Sequence, residues 1–90
     1  MSSRANARTI RVALLTKPGC HLCDEMKEVL DRAARGLPVA VREVDISGNP
    51  SLEERHGGDI PVLFISGKKA FEHRVTEREL REHLEAAGRR

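Results

Sequence analysis

The chain has two cysteines, Cys20 and Cys23, separated by two residues. Two sulfurs at this spacing can close a small disulfide ring and open it again, which is the chemistry of thiol–disulfide exchange. The pair also lies where a strand-like pattern gives way to a helix-like pattern. The first turn of a helix presents unpaired N–H groups and the positive end of the macrodipole, and both favour the thiolate form of a cysteine placed there.

Cys20 is the predicted nucleophile, because it stands where the helix start meets solvent. Such positions lower the pKa of a thiol from about 8.5 to between about 3.5 and 7.5. Lys17 and a protonated His21 would act in the same direction, although His21 is equally well interpreted as a solvated residue of the first turn. We predict that Cys20 attacks a substrate disulfide, and that Cys23 then attacks Cys20 and closes the redox-active Cys20–Cys23 disulfide.

Other uses of the cysteines are open at this point. They could pack the helix as inert thiols, or they could bind a metal ion or an iron–sulfur cluster that bridges two copies of the chain. The chain has four histidines, but they do not form the close pair of a zinc finger, and we expect no metal within one chain. His56, His73 and His83 are expected at the surface. A non-enzymatic binding module is therefore the rival hypothesis to an enzyme.

The elements that must position the cysteines follow from the spacing of apolar residues. Residues 10–15 and 60–65 are apolar on both faces, which predicts two central strands. Helical spacing predicts a long first helix that starts near Leu22 and stops at Gly36. The remaining predicted elements are a half-exposed edge strand over 39–46, a short helix between an Asn49 cap and Gly57, a turn at Gly67, a weaker strand near 69–74 with Phe71 in the core, and a last helix from the capping box Thr76–Glu79 to Gly88.

The predicted order is therefore β-α-β-α-β-β-α. The two strands joined by the long helix should be parallel with a right-handed crossover, and the turn at Gly67 should make the last two strands an antiparallel hairpin. We predict an α/β fold with a mixed four-stranded sheet and helices on both faces. This domain is expected to span residues 10–88, behind a flexible leader at residues 1–9.

The composition excludes several classes of function. The net charge is only +2, although charged residues make up 33% of the 90-residue chain, and the only aromatic residues are Phe64 and Phe71. We therefore expect neither a basic patch nor a stacking platform for nucleic acid. No segment is long and apolar enough to cross a membrane, and residues 1–8 lack the apolar region of a secretion signal. A cytoplasmic, reducing setting and a monomer are the expectations.

The order of elements, the Cys-x-x-Cys that opens the first long helix and the proline that starts the third strand resemble the thioredoxin superfamily. The run from Lys17 to Cys23, K-P-G-C-x-x-C, is most similar to glutaredoxins, which often carry a lysine three residues before the first cysteine. The similarity spans nearly all of the predicted domain and is closest to small bacterial glutaredoxin-like proteins of the Cys-x-x-Cys type. It implies a thioredoxin-like (glutaredoxin-type) fold and a disulfide oxidoreductase activity.

The resemblance also implies roles for residues outside the dithiol. Ile60-Pro61 matches the cis-proline position of the superfamily, where the backbone of the residue before the proline pairs with the bound thiol or peptide. Lys17 matches a contact to a glutathione carboxylate. The implied substrates are disulfides of proteins or small thiols, and no bound cofactor is implied. The chain departs from glutaredoxins in having His21-Leu22 between the cysteines and in lacking Gly-Gly-x-Asp before the last helix, so glutathione and a thioredoxin reductase are both candidate electron donors.

Overall fold

The computed structural model describes residues 9–89. The order of elements is the predicted one, with a short 3₁₀ helix in addition. The predicted leader, apart from Thr9, lies outside the described residues, and the domain boundaries stay a prediction. The elements are β1 (Ile10–Thr16), α1 (His21–Ala33), β2 (Val39–Asp45), the 3₁₀ helix (Ile46–Gly48), α2 (Pro50–His56), β3 (Val62–Ile65), β4 (Lys68–Glu72) and α3 (Glu77–Gly88).

The strands form one mixed four-stranded sheet in the order β2-β1-β3-β4. β1 and β2 are parallel, and Thr16 lies opposite Asp45 at their C-terminal ends. β3 runs antiparallel to both β1 and β4. The β3–β4 hairpin turns through Ser66 and Gly67, both at positive φ, which is the two-residue turn that suits the twist of paired strands. The two strands that are apolar on both faces therefore lie in the middle of the sheet, as predicted.

Helices cover both faces of the sheet, and the core is divided accordingly. On one face, α1 and α3 pack over the even-numbered residues of β1, and Met26, Leu30, Leu80 and Leu84 are buried there. On the other face, the 3₁₀ helix and α2 cover Leu15 and Val62, with Ile46 at the centre of this second cluster. None of the helices in the described part of the chain has the length and apolar character needed to span a bilayer.

Several strand boundaries differ from the prediction by one or two residues, among them the end of β4, which is Glu72 rather than residue 74. β2 ends at Asp45, because its carboxylate accepts the N–H of Ser47 at 2.9 Å and caps the 3₁₀ helix. Ile46 is therefore not a strand residue, and its side chain is fully buried. β3 begins at Val62 rather than at residue 60, because Pro61 lies in a bend before the strand. The Ile60–Pro61 peptide bond is cis.

The helix caps agree closely with the sequence. The side chain of Asn49 accepts the N–H of Leu52 at 3.1 Å, so Asn49 caps α2 as predicted. The capping box of Thr76 and Glu79 is present at the start of α3. α1 ends at Ala33, earlier than predicted, and Gly36 follows at a φ of 78° in the connection to β2. At the far end of the chain, α3 includes Gly88 and is capped by the next residue.

Candidate active site

Cys20 and Cys23 lie at the start of α1, with different surroundings. Cys20 is the N-cap residue, and its sulfur accepts the N–H of Cys23 at 3.1 Å. The two cysteines are paired as a disulfide, and their Cα atoms are 5.2 Å apart, within the range that a disulfide requires. Cys20 is partly exposed, whereas Cys23 is 3% exposed. An accessible sulfur beside a buried one suits an attacking thiol and a resolving thiol.

A tight loop carries the chain from β1 to Cys20. Gly19 has a φ of 76°, a conformation that residues with a Cβ atom rarely adopt. The carbonyl of Cys20 accepts the N–H of Asp24 at 3.2 Å, which is the first hydrogen bond of the helix. Cys20 is therefore held between the end of a central strand and the open amides of α1.

The register of the sheet brings the predicted substrate-side residues to the same end of the molecule. Leu15 of β1 lies opposite Val62 of β3, so Pro61 lies beside the end of β1, where the loop to Cys20 begins. Pro61 is buried, and its carbonyl accepts the N–H of His73 at 2.8 Å. The dithiol and the Ile60–Pro61 segment thus share the C-terminal end of the parallel strands, where open α/β sheets place their ligands.

Lys17, which was predicted to contact a glutathione carboxylate, has a carboxylate of the protein as its partner. Its Nζ atom lies 3.6 Å from the carboxylate of Glu53 in α2, and the two side chains are 38% and 37% exposed. Glu53 could not be identified from the sequence, because no local pattern in α2 indicates that it reaches the loop before Cys20. The ion pair exists only because α2 packs over this end of the sheet.

The histidines differ in their environments. His21 is exposed at the first position of α1, which is compatible with both of its predicted roles. His73 and His83 are exposed, as predicted. The prediction was wrong for His56, because its half-buried ring lies edge-on to Phe64 with centroids 6.0 Å apart, and its Nδ1 atom is buried without a hydrogen-bond partner. Within residues 9–89, no group of three or more His, Cys, Asp or Glu side chains is arranged to bind a metal ion.

A polar cleft of about 250 Å³ lies on the side of Cys23. Across this cleft, Nζ of Lys27 lies 2.9 Å from the carboxylate of Glu43, and this hydrogen bond raises the pKa of Lys27. Hydrogen bonds from the side chain and backbone of Ser47 lower the pKa of Asp45, which lies in the same cleft. The pair of Lys27 and Glu43 could not be predicted from local sequence, since it joins a helix to a neighbouring strand.

A second cleft, a groove of about 310 Å³, runs between α1 and the segment that precedes α3. Its floor includes Met26 and Val29, and Glu25 and Glu79 contribute carboxylates to its walls. The groove also includes His73, whose N–H binds the carbonyl of Pro61. The groove therefore starts next to the Ile60–Pro61 segment.

Known proteins are similar to this chain in sequence and in fold. Residues 11–85 match the family described as the Glutaredoxin-like domain (DUF836). A glutaredoxin-like protein of Dictyostelium discoideum is 33% identical over 86 residues, which cover 89% of this chain and 80% of that protein. The X-ray structure of a structural genomics target protein from X. campestris is 31% identical and superposes with a TM-score of 0.72, covering 83% of this chain and 96% of that one.

Similarity to thioredoxins supports the architecture. A thioredoxin from Halobacterium salinarum is 24% identical and superposes with a TM-score of 0.61, covering 88% of this chain and 74% of that one. At this identity the likeness shows the fold alone. The predicted thioredoxin-like fold is confirmed.

Proposed function

Because this chain belongs to the glutaredoxin-like domain family, we propose that it is a thiol–disulfide oxidoreductase that reduces disulfides of proteins or small thiols. One observation carries the proposal. The partly exposed Cys20 caps α1, and its sulfur accepts a hydrogen bond from the N–H of Cys23. Cys23 is buried and is paired with Cys20 as a disulfide. The N–H donor and the positive end of the helix both stabilise negative charge on the Cys20 sulfur.

The proposed reaction has two displacement steps. The Cys20 thiolate attacks one sulfur of the substrate disulfide, so that a mixed disulfide forms and the other substrate sulfur leaves as a thiolate that takes a proton from water. The thiol of Cys23 then loses its proton to water and attacks the Cys20 sulfur. The Cys20–Cys23 disulfide forms and the second substrate sulfur leaves. The substrate gains two electrons, and the dithiol of the protein loses two.

The residues around the dithiol have proposed supporting roles. The backbone of Ile60 is the proposed pairing edge for the substrate segment that bears the cysteine, and Pro61 holds this edge in place. Lys17 and His21 flank Cys20 in sequence, and a positive charge on either side chain would favour the Cys20 thiolate. None of these roles needs a bound cofactor.

Turnover requires that the Cys20–Cys23 disulfide be reduced again. Two glutathione molecules can do this and leave as glutathione disulfide, or the dithiol of a thioredoxin reductase can do it in one encounter. A reducing compartment keeps either donor in its thiol form, and we propose the cytoplasm.

The test compares two single-cysteine variants in a hydroxyethyl disulfide assay, run once with glutathione and glutathione reductase and once with a thioredoxin reductase. We expect Cys20→Ser to abolish turnover with both donors. Cys23→Ser should accumulate a mixed disulfide on Cys20 that is visible by mass spectrometry, because the resolving thiol is missing. Full turnover by Cys20→Ser would refute the proposal. So would a mixed disulfide that forms on Cys23 of the Cys20→Ser variant and not on Cys20 of the Cys23→Ser variant.

A further inference from the structure

We propose that the site discriminates against small anionic thiols such as glutathione and takes its electrons from the dithiol of a protein. The inference rests on the oxidoreductase function proposed above and names the electron donor of that same site. Its basis is that glutamates of the chain occupy the positive groups that would otherwise bind the carboxylates of a ligand.

The first such group is the ammonium of Lys17, in the loop before Cys20. The carboxylate of Glu53 lies 3.6 Å from it. Leu52, the neighbour of Glu53, packs against the buried cluster under α2, which keeps Glu53 close to the loop. A ligand carboxylate can bind Lys17 only by displacing a carboxylate that is already in place.

The second group is Lys27, in the cleft on the side of Cys23. Its ammonium is bound to Glu43 at 2.9 Å, so both lysines that line this cleft have glutamate partners. Asp24 and Asp45 also line the cleft, and hydrogen bonds from Ser47 favour the ionised form of Asp45. The lining therefore has two lysines and three carboxylates, a net charge of −1 before Glu53 is included.

The third group is the set of N-terminal amides of α3, at the groove on the other side of the site. Helix N-termini readily bind anions, and here the capping box already places a carboxylate of the chain at the helix start. A carboxylate oxygen of Glu79 accepts the N–H of Thr76 at 3.2 Å and its hydroxyl at 3.0 Å, and the hydroxyl in turn accepts the N–H of Glu79. This groove is lined by the carboxylates of Glu25 and Glu79 and by the single guanidinium of Arg74, which together give a formal charge of −1.

These charges act differently on the two kinds of donor. Glutathione has two carboxylates and one ammonium group at neutral pH, so it approaches either cleft against a charge of its own sign. An extended protein segment presents an uncharged backbone, which can pair with the backbone at Ile60 without a carboxylate site. The structure therefore favours a protein dithiol as the donor.

The experiment measures the rate at which the oxidised protein is reduced by glutathione, by glutathione ethyl ester and by dithiothreitol, which is neutral. Glu53→Gln removes one charge, and Glu79→Gln removes another while glutamine preserves the capping box. We expect each variant to raise the ratio of the glutathione rate to the dithiothreitol rate roughly two- to fivefold, as is typical of one partly exposed charge. In the wild type, the ester should react faster than glutathione by a similar factor. Glu54→Gln, at an exposed position next to Glu53, should leave the ratio unchanged.

A double-mutant cycle tests whether Lys17 is the group that Glu53 occupies. Lys17→Met should lower the glutathione ratio in both backgrounds, because it removes a positive charge, but the loss should be larger in the Glu53→Gln background, where the ammonium no longer has its glutamate partner. If neither glutamate variant changes the ratio of the glutathione rate to the dithiothreitol rate, the inference about the donor is overturned. The proposed function is unaffected by that result as long as dithiothreitol reduces the protein faster than it reduces the disulfide of an unstructured Cys-x-x-Cys peptide. Reduction by dithiothreitol no faster than that of the peptide would overturn the proposed function itself.

Discussion

Replacing Cys23 with serine isolates the thiol of Cys20 and tests its environment at the start of α1. Serine keeps the backbone N–H of position 23, which donates to the Cys20 sulfur at 3.1 Å, but it cannot form the disulfide. We predict that iodoacetamide alkylates Cys20 of this variant at pH 7 faster than it alkylates the cysteine of a short unstructured peptide.

The expected gain can be worked out from the contacts of Cys20. An ordinary thiol is about 3% thiolate at pH 7, so full ionisation raises the reactive fraction at most about thirtyfold. A hydrogen bond to a charged acceptor contributes about 1.5–3 kcal/mol and a helix N-terminus about 0.3–1 kcal/mol, and the carboxylates of Asp24 and Glu25 offset part of this. The remainder still ionises much of the thiol, because about 1.4 kcal/mol changes an equilibrium tenfold. A stabilised thiolate is also a weaker nucleophile, with a Brønsted coefficient of about 0.4–0.5, so we expect a net gain of roughly three- to fivefold.

The assay follows alkylation by mass spectrometry between pH 5 and pH 9, with the protein folded and in urea. The reaction of Cys20 should level off at a lower pH than that of the peptide, and urea should abolish the difference. In the matched Cys20→Ser variant, the thiol of Cys23 should react more slowly than the peptide, because that residue is 3% exposed. Alkylation of Cys20 at the rate of the peptide throughout this pH range would refute the argument that the helix start activates the sulfur.

The remaining predictions concern stability, measured by urea or thermal unfolding. Hydrogen bonds from Ser47 lower the pKa of Asp45, so the ionised carboxylate stabilises the fold at pH values above the ordinary pKa of an aspartate, and this stabilisation is lost as the pH falls through the lowered pKa. Asp45→Asn should therefore be destabilising at pH 7 and lose that effect near pH 2. An equal effect at both pH values would contradict the reasoning. Ile46→Ala should lower the free energy of unfolding by about 2–5 kcal/mol, because the side chain is fully buried. The control Val41→Ala, at a position that is 48% exposed, should change it by less than about 0.5 kcal/mol. Equal effects would mean that the assignment of the core is wrong. Both central residues of the β3–β4 turn have positive φ. Ser66→Asn should therefore stabilise the protein by about 0.5 kcal/mol, and Gly67→Ala should destabilise it by about 1–2 kcal/mol. Effects of the opposite sign would exclude this turn type.

Much of the architecture was predictable because it depends on short segments of sequence. The alternation of apolar residues identified the central strands, and the caps at Asn49 and Thr76 were identified from residues within the next helical turn. The boundaries that differed depend on contacts outside such segments. Ile46 leaves the predicted edge strand because a buried position exists for it beneath α2, and the predicted start of β3 moves to Val62 because a bend precedes it.

The sequence alone determined the Cys-x-x-Cys pair and predicted the exchange chemistry proposed for it, because two sulfurs separated by two residues at a strand-to-helix junction need no distant partner to come within reach of each other. Only the tertiary structure decided the charge around that pair. Lys17 is separated from Glu53 by α1, β2 and the 3₁₀ helix along the chain, and Lys27 from Glu43 by the whole connection between α1 and β2. Such ion pairs depend on how helices and strands pack against one another, and the local sequence patterns of each element do not indicate which residues of other elements it contacts. The sequence therefore predicts a thiol that can exchange, and the packing of α1 and α2 determines which carboxylates surround it.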